Sequence, residues 1–395
     1  MAASFPDASA HPIPLSRPST DGAELAAVAK VLESGWMAGQ GPYGTKLEDG
    51  FRELTGRGYA IAVNNCTAGL HLALAALGVG HGDEVLVADY SFPATAHAVL
   101  YCGASPVFVD VREDTATIDP KLVEQAITPG TKAIVAVDAL GTPADWDVLQ
   151  EIAQRHRLAL VEDAACSAGA VYRGRPCGSF GDVSVFSLHA RKGITCGEGG
   201  VITTDDAELA SRMRAASCFG MVSAFARQSA GTLALPDFAE IGYNYKLSDV
   251  LAAVAGVQLG KLDAFLARRR ALAARYGELL SAVPGIEAPL VPGDRTPAWQ
   301  TYAVTVTDPL DRDAIAIALR ARGVGCTIGT YAMHLQPVYG QAHHSCPTSQ
   351  HLFEHHLALP MYVGLTDDQQ DLVVQILSSV VAGQTAPDPQ TAHSR

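Results

Sequence analysis

Between Tyr59 and Thr204 short apolar runs alternate with helix-patterned stretches at the spacing of βα units, and this alternation limits most strongly what the chain can fold into. Seven runs read as strands: YAIAV (59–63), EVLVA (84–88), PVFVDV (106–111), KAIVAV (132–137), LALVE (158–162), VSVF (183–186) and VITT (201–204). Between them, stretches such as TAGLHLALAAL (67–77) and ADWDVLQEIAQRH (144–156) repeat their apolar residues at helical spacing. The pattern predicts an α/β protein whose mainly parallel seven-stranded sheet has helices on both faces. A long helical stretch over 249–280 then carries the chain out of this large domain, which is expected to span 13–262. A smaller α+β domain is expected over 263–381, with a strand at 300–306, a helix at 311–323 and a strand-like segment at 325–328. The tail 382–395 is polar, proline-bearing and aperiodic, and reads as disordered.

Composition narrows the partners. With 395 residues, 48% of them hydrophobic, the chain can bury two cores. Its formal charge of −13, from 28 basic and 41 acidic side chains, argues against nucleic acid and anionic membrane surfaces as partners, so any bound anion must be held locally. The start, MAASFPDASAHP, has neither a basic n-region nor an apolar h-region, and no apolar run approaches a bilayer span, so a cytoplasmic protein is expected. Cysteines 66, 102, 166, 177, 196, 218, 326 and 346 form no C-x-x-C pair, which suits reduced thiols and disfavours a disulfide scaffold or a metal site.

Three strand ends carry chemistry. VSVF leads through Ser187 to Lys192, in SLHARKGITCGEGG (187–200), where the glycines permit a tight turn into the next strand. Burial lowers the pKa of an amine, so a half-buried Lys192 would be a Schiff-base nucleophile; a snorkelling surface lysine is the other reading. YAIAV ends in NNCT (64–67) at a helix start, which makes either a phosphate seat with the Thr67 hydroxyl or an ordinary N-cap by Asn65 or Thr67. LALVEDAAC (158–166) places Glu162 and Asp163 at the top of the sheet. An aldehyde for the lysine, a phosphate for the helix start and Ser187, and a basic ring nitrogen for Asp163 together describe pyridoxal 5′-phosphate.

RPSTDGAELAAVAKVLESGWMAGQGPYGTKLE, GDEVLVADYSFPATAHAVLYCGASPVFVDV, VEDAACSAGA, FSLHARKGITCGEGG, EIGYNYKLSDVLAAVAGVQL and LALPMYVGLT occur in order over 13–381. This series resembles the DegT/DnrJ/EryC1/StrS aminotransferases, pyridoxal-phosphate enzymes of the aspartate-aminotransferase fold (fold type I) acting largely on keto-sugars. The resemblance implies that Lys192 forms the Schiff base and shuttles the proton, and that Asp163 pairs with the pyridine nitrogen. Thr67, Ala68 and Ser187, in a loop shared with Cys66, would hold the phosphate. Phe92 in YSFPATA would stack on the ring. Asn244 in GYNYK would reach the phosphate of the neighbouring subunit, which makes a homodimer with shared active sites part of the expectation. Trp36, Tyr331 and His334 would face the substrate.

The chain departs from that pattern at three positions. Cys66 stands where glycine is usual, which is tolerable if its φ is negative. Cys166 replaces a glutamine or histidine near the cofactor's ring oxygen or the substrate, where a thiol donates more weakly; a small buried residue, with the contact made by another group or water, is the other reading. Asp138 in VDALG replaces a frequent histidine, which suggests an altered substrate-side contact. His351 to His355 matches H-x-x-E-H but is read as a solvated helix face, His343 and His344 as a loop, and Arg268 to Arg270 as the solvated side of the long helix. The expected reaction moves an amino group from glutamate or glutamine to a keto-sugar, commonly nucleotide-linked. A keto-cyclitol acceptor, a lyase or aldol-type reaction, and a non-catalytic regulatory relative are the alternatives.

Overall fold

A computed structural model describes residues 8–222, 237–238, 240–340 and 345–385; His343, His344 and the tail from residue 386 lie outside them. All seven expected runs form strands of one sheet: β1 (Tyr59–Val63), β2 (Glu84–Ala88), β3 (Ser105–Val109), β4 (Thr131–Val137), β5 (Ala159–Asp163), β6 (Val183–Ser187) and β7 (Gly200–Thr204). Their order across the sheet is β1-β7-β6-β5-β4-β2-β3. Only β7 runs against its neighbours, so β1 points the same way as the parallel strands and its end meets theirs on one edge.

Side chains alternate across this sheet with the period of two that a strand imposes. Val161, Val183, Val185 and Ile202 pack on α3 (Cys66–Ala76), α4 (Ala94–Tyr101) and α7 (Ala207–Ser217). Leu160, Phe186 and Val201 face the other way, into the core shared with α2 (Pro42–Thr55), α5 (Pro120–Ala126), α6 (Trp146–His156) and α8 (Asp249–Leu259). Each fully buried Val or Leu here contributes about 1.5–3 kcal/mol. The same parity sends neighbouring acids apart: Asp163 shares the α3 side with Val161, while Glu162 shares the opposite side with Leu160.

Helix α2 starts at Gly41 without a side-chain cap of its own. Asp249 on α8, fully buried, supplies it: its carboxylate accepts from Tyr43 N at 3.1 Å and Gly44 N at 2.8 Å. Helix α1 (Gly22–Ser34) is closed by a capping box of Asp21 and Glu24. Glu24 in turn accepts from Gln258 at 2.6 Å and Lys261 at 2.7 Å, at the end of α8.

The stretch expected as one long helix is two. After α8 the chain turns by 57° into α9 (Leu262–Leu280). Among the described residues no single helix is long and apolar enough to cross a membrane. The run Arg268 to Arg270 is not wholly solvated either. Arg269 is buried, and its guanidinium donates to the carbonyls of Trp299, Gln300 and Met361. A helix surface turns 100° per residue, so three consecutive arginines cannot share one face.

Beyond α9 a second core forms around the antiparallel sheet β8-β9-β12-β10, built from β8 (Ile286–Glu287), β9 (Tyr302–Val306), β10 (Thr327–Ile328) and β12 (His356–Leu359). Between them β11 (Tyr331–Ala332) reaches back and pairs with Tyr90–Ser91, just past β2. The helices α10 (Arg312–Ala321), α11 (Pro347–His355) and α12 (Asp367–Thr385) cover this part. Residues 382–385 continue α12, so the tail expected to be disordered from 382 is helical at its start. His351 and His355 lie stacked on α11, with centroids 4.0 Å apart.

Candidate active site

The ends of β1, β4, β5 and β6, with the turn after β2 and the loop around Thr327 to Tyr331, enclose a cavity of about 810 Å³. Open α/β sheets place their sites at this carboxyl edge because helix starts and free loop backbone collect there. Cys66, Thr67, Ala68, Phe92, Asp163, Cys166, Ser187, Lys192 and Tyr331 all line the cavity.

At one end α3 begins. Asn65 is its N-cap, with Oδ1 accepting from Ala68 N at 2.8 Å. The Ala68 N–H is therefore committed, and the first-turn N–H groups of Cys66 and Thr67, which have no helical acceptor, remain as the anion seat beside the Thr67 hydroxyl. Cys66 is helical with an ordinary negative φ, so the side chain strains nothing there. Burial pushes its thiol well up. Ser187, at the end of β6, is buried and accepts from His189 N at 3.3 Å.

Asp163 lies at the floor, 4% exposed. Its Oδ2 accepts from Thr95 Oγ1 at 2.8 Å and its Oδ1 from Ala165 N at 3.2 Å. Burial raises its pKa, and those two donors and Lys192 only partly counter the rise, so the carboxylate is poised for a cationic partner. Lys192 Nζ stands 3.1 Å from Cys166 Sγ. Burial alone would lower the lysine pKa, as expected from the sequence, but Cys166, Cys66 and Asp163 outweigh it and the net direction is upward.

Three expected positions are not in the cavity of their own chain. His334 is drawn beneath it, with Nδ1 2.6 Å from Asp89 Oδ2 and its backbone N–H on Asp89 Oδ1 at 2.7 Å. A fully buried carboxylate needs such donors, and Asp89 also takes the hydroxyl of Ser349 at 2.5 Å. Asn244 is exposed, its Oδ1 accepting from Lys246 Nζ at 2.6 Å. Trp36 is 44% exposed beside Gly41.

Asp138, expected on the substrate side, is fully buried on the opposite face. It accepts from Ala144 N and Trp146 Nε1, both at 3.0 Å, and from Ser167 Oγ at 2.6 Å. It belongs to a packed acid pair with Glu162, which takes Gly178 N, Phe180 N and Ser184 Oγ. Burial raises both carboxyls, and the Asp138 charge raises Glu162 further.

Several cavity residues carry no local signature. Thr95 sits three residues after Phe92, one helical turn on, so YSFPATA held that signal. Tyr245, Gln300 and Thr301 reach the cavity only through tertiary packing.

A profile of the DegT/DnrJ/EryC1/StrS aminotransferase family matches residues 18–378. Among solved structures, the aminotransferase TlmJ from Streptoalloteichus hindustanus is 36% identical and superposes with a TM-score of 0.88 over 95% of this chain and 100% of that one. DesV of S. venezuelae, solved in complex with a ketimine intermediate, is 35% identical with a TM-score of 0.85, over 94% and 98%. Sugar aminotransferase Spr1654 from Streptococcus pneumoniae, described as putative and solved in its PMP-form, is 28% identical with a TM-score of 0.89, over 94% and 99%.

Proposed function

The chain belongs to the DegT/DnrJ/EryC1/StrS aminotransferase family, and from that premise we propose that it moves an amino group from glutamate or glutamine to a nucleotide-activated keto-sugar, with pyridoxal 5′-phosphate as cofactor. The observation that carries this reading is the convergence, in one cavity, of an amine, a buried carboxylate and a helix-start anion seat. That donor set matches an aldehyde, a pyridine nitrogen and a phosphate. When bound, the cofactor supplies an electron sink conjugated to the substrate carbon.

The residues divide the remaining work. Lys192 Nζ would hold the cofactor's aldehyde, and its amine holds and moves the substrate proton. Asp163, oriented by Thr95, keeps a proton on the ring nitrogen. Thr67, the first-turn N–H groups and Ser187 hold the phosphate. Phe92, whose ring centroid lies 6.1 Å from that of Tyr331, would offer its face to the cofactor ring. Asn244 and Trp36, both exposed and outside their own cavity, serve the site of a second copy in a homodimer.

Glutamate should bleach the cofactor band of the holoenzyme, and a keto-sugar nucleotide should restore it. A spectrum indifferent to every amino donor would sink the reading. Lys192→Ala should lower turnover on the order of a thousand-fold or more with unchanged far-UV circular dichroism; unaltered turnover would overturn the role given to Lys192.

A further inference from the structure

An amino-acid donor carries a carboxylate on the carbon that bears its amino group, so a cavity that accepts one needs a cation near the reacting lysine. Among the described residues lining the cavity, the only permanent cations are Arg191 and Lys192. Lys192 is committed to the chemistry. His189 is committed as well: its Nδ1 accepts from Arg191 N at 3.2 Å, and its Nε2 lies 3.7 Å from the Glu198 carboxylate.

Arg191 is held at its backbone and free at its tip. Its carbonyl accepts from Gln300 Nε2 at 2.9 Å, and Gln300 Oε1 accepts from Thr301 Oγ1 at 2.9 Å. Gln300 is fixed from below by Arg269, and Trp299 beside it has a left-handed φ of 53°. The facing turn carries Leu140, also left-handed at 58°, and the two segments are joined by Ala298 N on Gly141 O and Thr301 N on Leu140 O. Strain of this kind persists only where the surroundings over-determine the backbone. The Arg191 guanidinium, by contrast, has no hydrogen-bond or ion-pair partner among the described residues. Arg191 lines both the main cavity and a smaller adjoining recess walled by Leu15, Ser16 and Met361.

We infer that Arg191 seats the α-carboxylate of the amino donor, its guanidinium taking both oxygens. This rests on the aminotransferase reading. Arg191 and Lys192 are consecutive, with Cα atoms about 3.8 Å apart, and the α-carboxyl carbon is one bond from the reacting carbon, so the two side chains serve adjacent groups of one substrate. An acceptor's diphosphate lies farther from its ketone and is the weaker match.

The test uses intact holoenzyme and glutarate, a dicarboxylate with no amino group to react, with binding measured by calorimetry. Arg191→Gln should weaken glutarate about ten- to a hundred-fold, and Arg191→Lys, which keeps the charge but loses the fork, should fall between. The KM for glutamate should rise in parallel, while cofactor affinity and melting temperature stay as in the parent. Equal glutarate affinity in parent and Arg191→Gln, or none in either, overturns the inference. So does a variant that loses affinity for the keto-sugar nucleotide alone. Failure of the parent cofactor spectrum to respond to any amino donor removes the aminotransferase reading instead, a result separable from the calorimetry.

Discussion

Cys166, one of the three positions at which the chain departs from the pattern that the resemblance implies, sets its sulfur against the Lys192 amine. At 3.1 Å from Lys192 Nζ, it is the largest influence opposing the downward pull of burial on that amine. Replacing Cys166 by Ala removes the largest of the influences that oppose burial and leaves only Cys66 and Asp163 against it, so the Lys192 pKa should fall. The pH profile for capture of pyridoxal phosphate by apoenzyme, trapped with borohydride, should then move to lower pH; an unmoved or alkaline-shifted profile contradicts this account. Lys192, Asp163 and Thr67 could be brought to one edge of the sheet from the sequence because each lies at or shortly beyond the carboxyl end of a strand. Asp138 was misread for want of strand parity: its side chain joins Glu162 under the sheet. Arg191 was visible in the sequence but had no meaning until the cavity's other cations could be counted.

At the level of elements, the strands were readable and the joints between helices were not. Nothing in 249–280 signals a stop, since Gly260 itself keeps right-handed helical angles at φ −64°. The bend is set from outside, where Gln258 and Lys261 are clamped by Glu24 and Asp21 at the start of α1. The cap of α2 is likewise borrowed, from Asp249 some two hundred residues along the chain. Asp249→Ala strands two N–H groups of a helix start and should cost about 2–3 kcal/mol. A urea midpoint equal to that of the parent would show that water replaces the carboxylate without loss.

Across the whole molecule, the two cores are tied beside the cavity by Tyr90 and His356. Thr330 N donates to Tyr90 Oη at 3.2 Å, and the same oxygen lies 2.9 Å from His356 Nδ1 in a bond whose direction depends on the imidazole tautomer. Burial, with smaller contributions from His351, Arg312 and His355, lowers the His356 pKa to about 4 from 6.5. The unfolded chain takes up this proton first, so the stabilisation is complete above pH 6.5 and is lost as pH falls from there through 4. It amounts to about 3 kcal/mol. Urea midpoints of parent and His356→Gln should converge over that interval, whereas a constant gap between them would exclude the titration of His356 as the cause. The pairing of β11 with Tyr90–Ser91 has a consequence in time as well as in space. One wall of the cavity is made from residues 327–331, while the floor is made before residue 200. A ribosome releasing this chain from its N-terminus exposes the lysine, the acid and the helix start long before their far wall has been translated. The complete pocket is therefore among the last features the nascent protein acquires, and a chain arrested before Tyr331 has Lys192 without the enclosure.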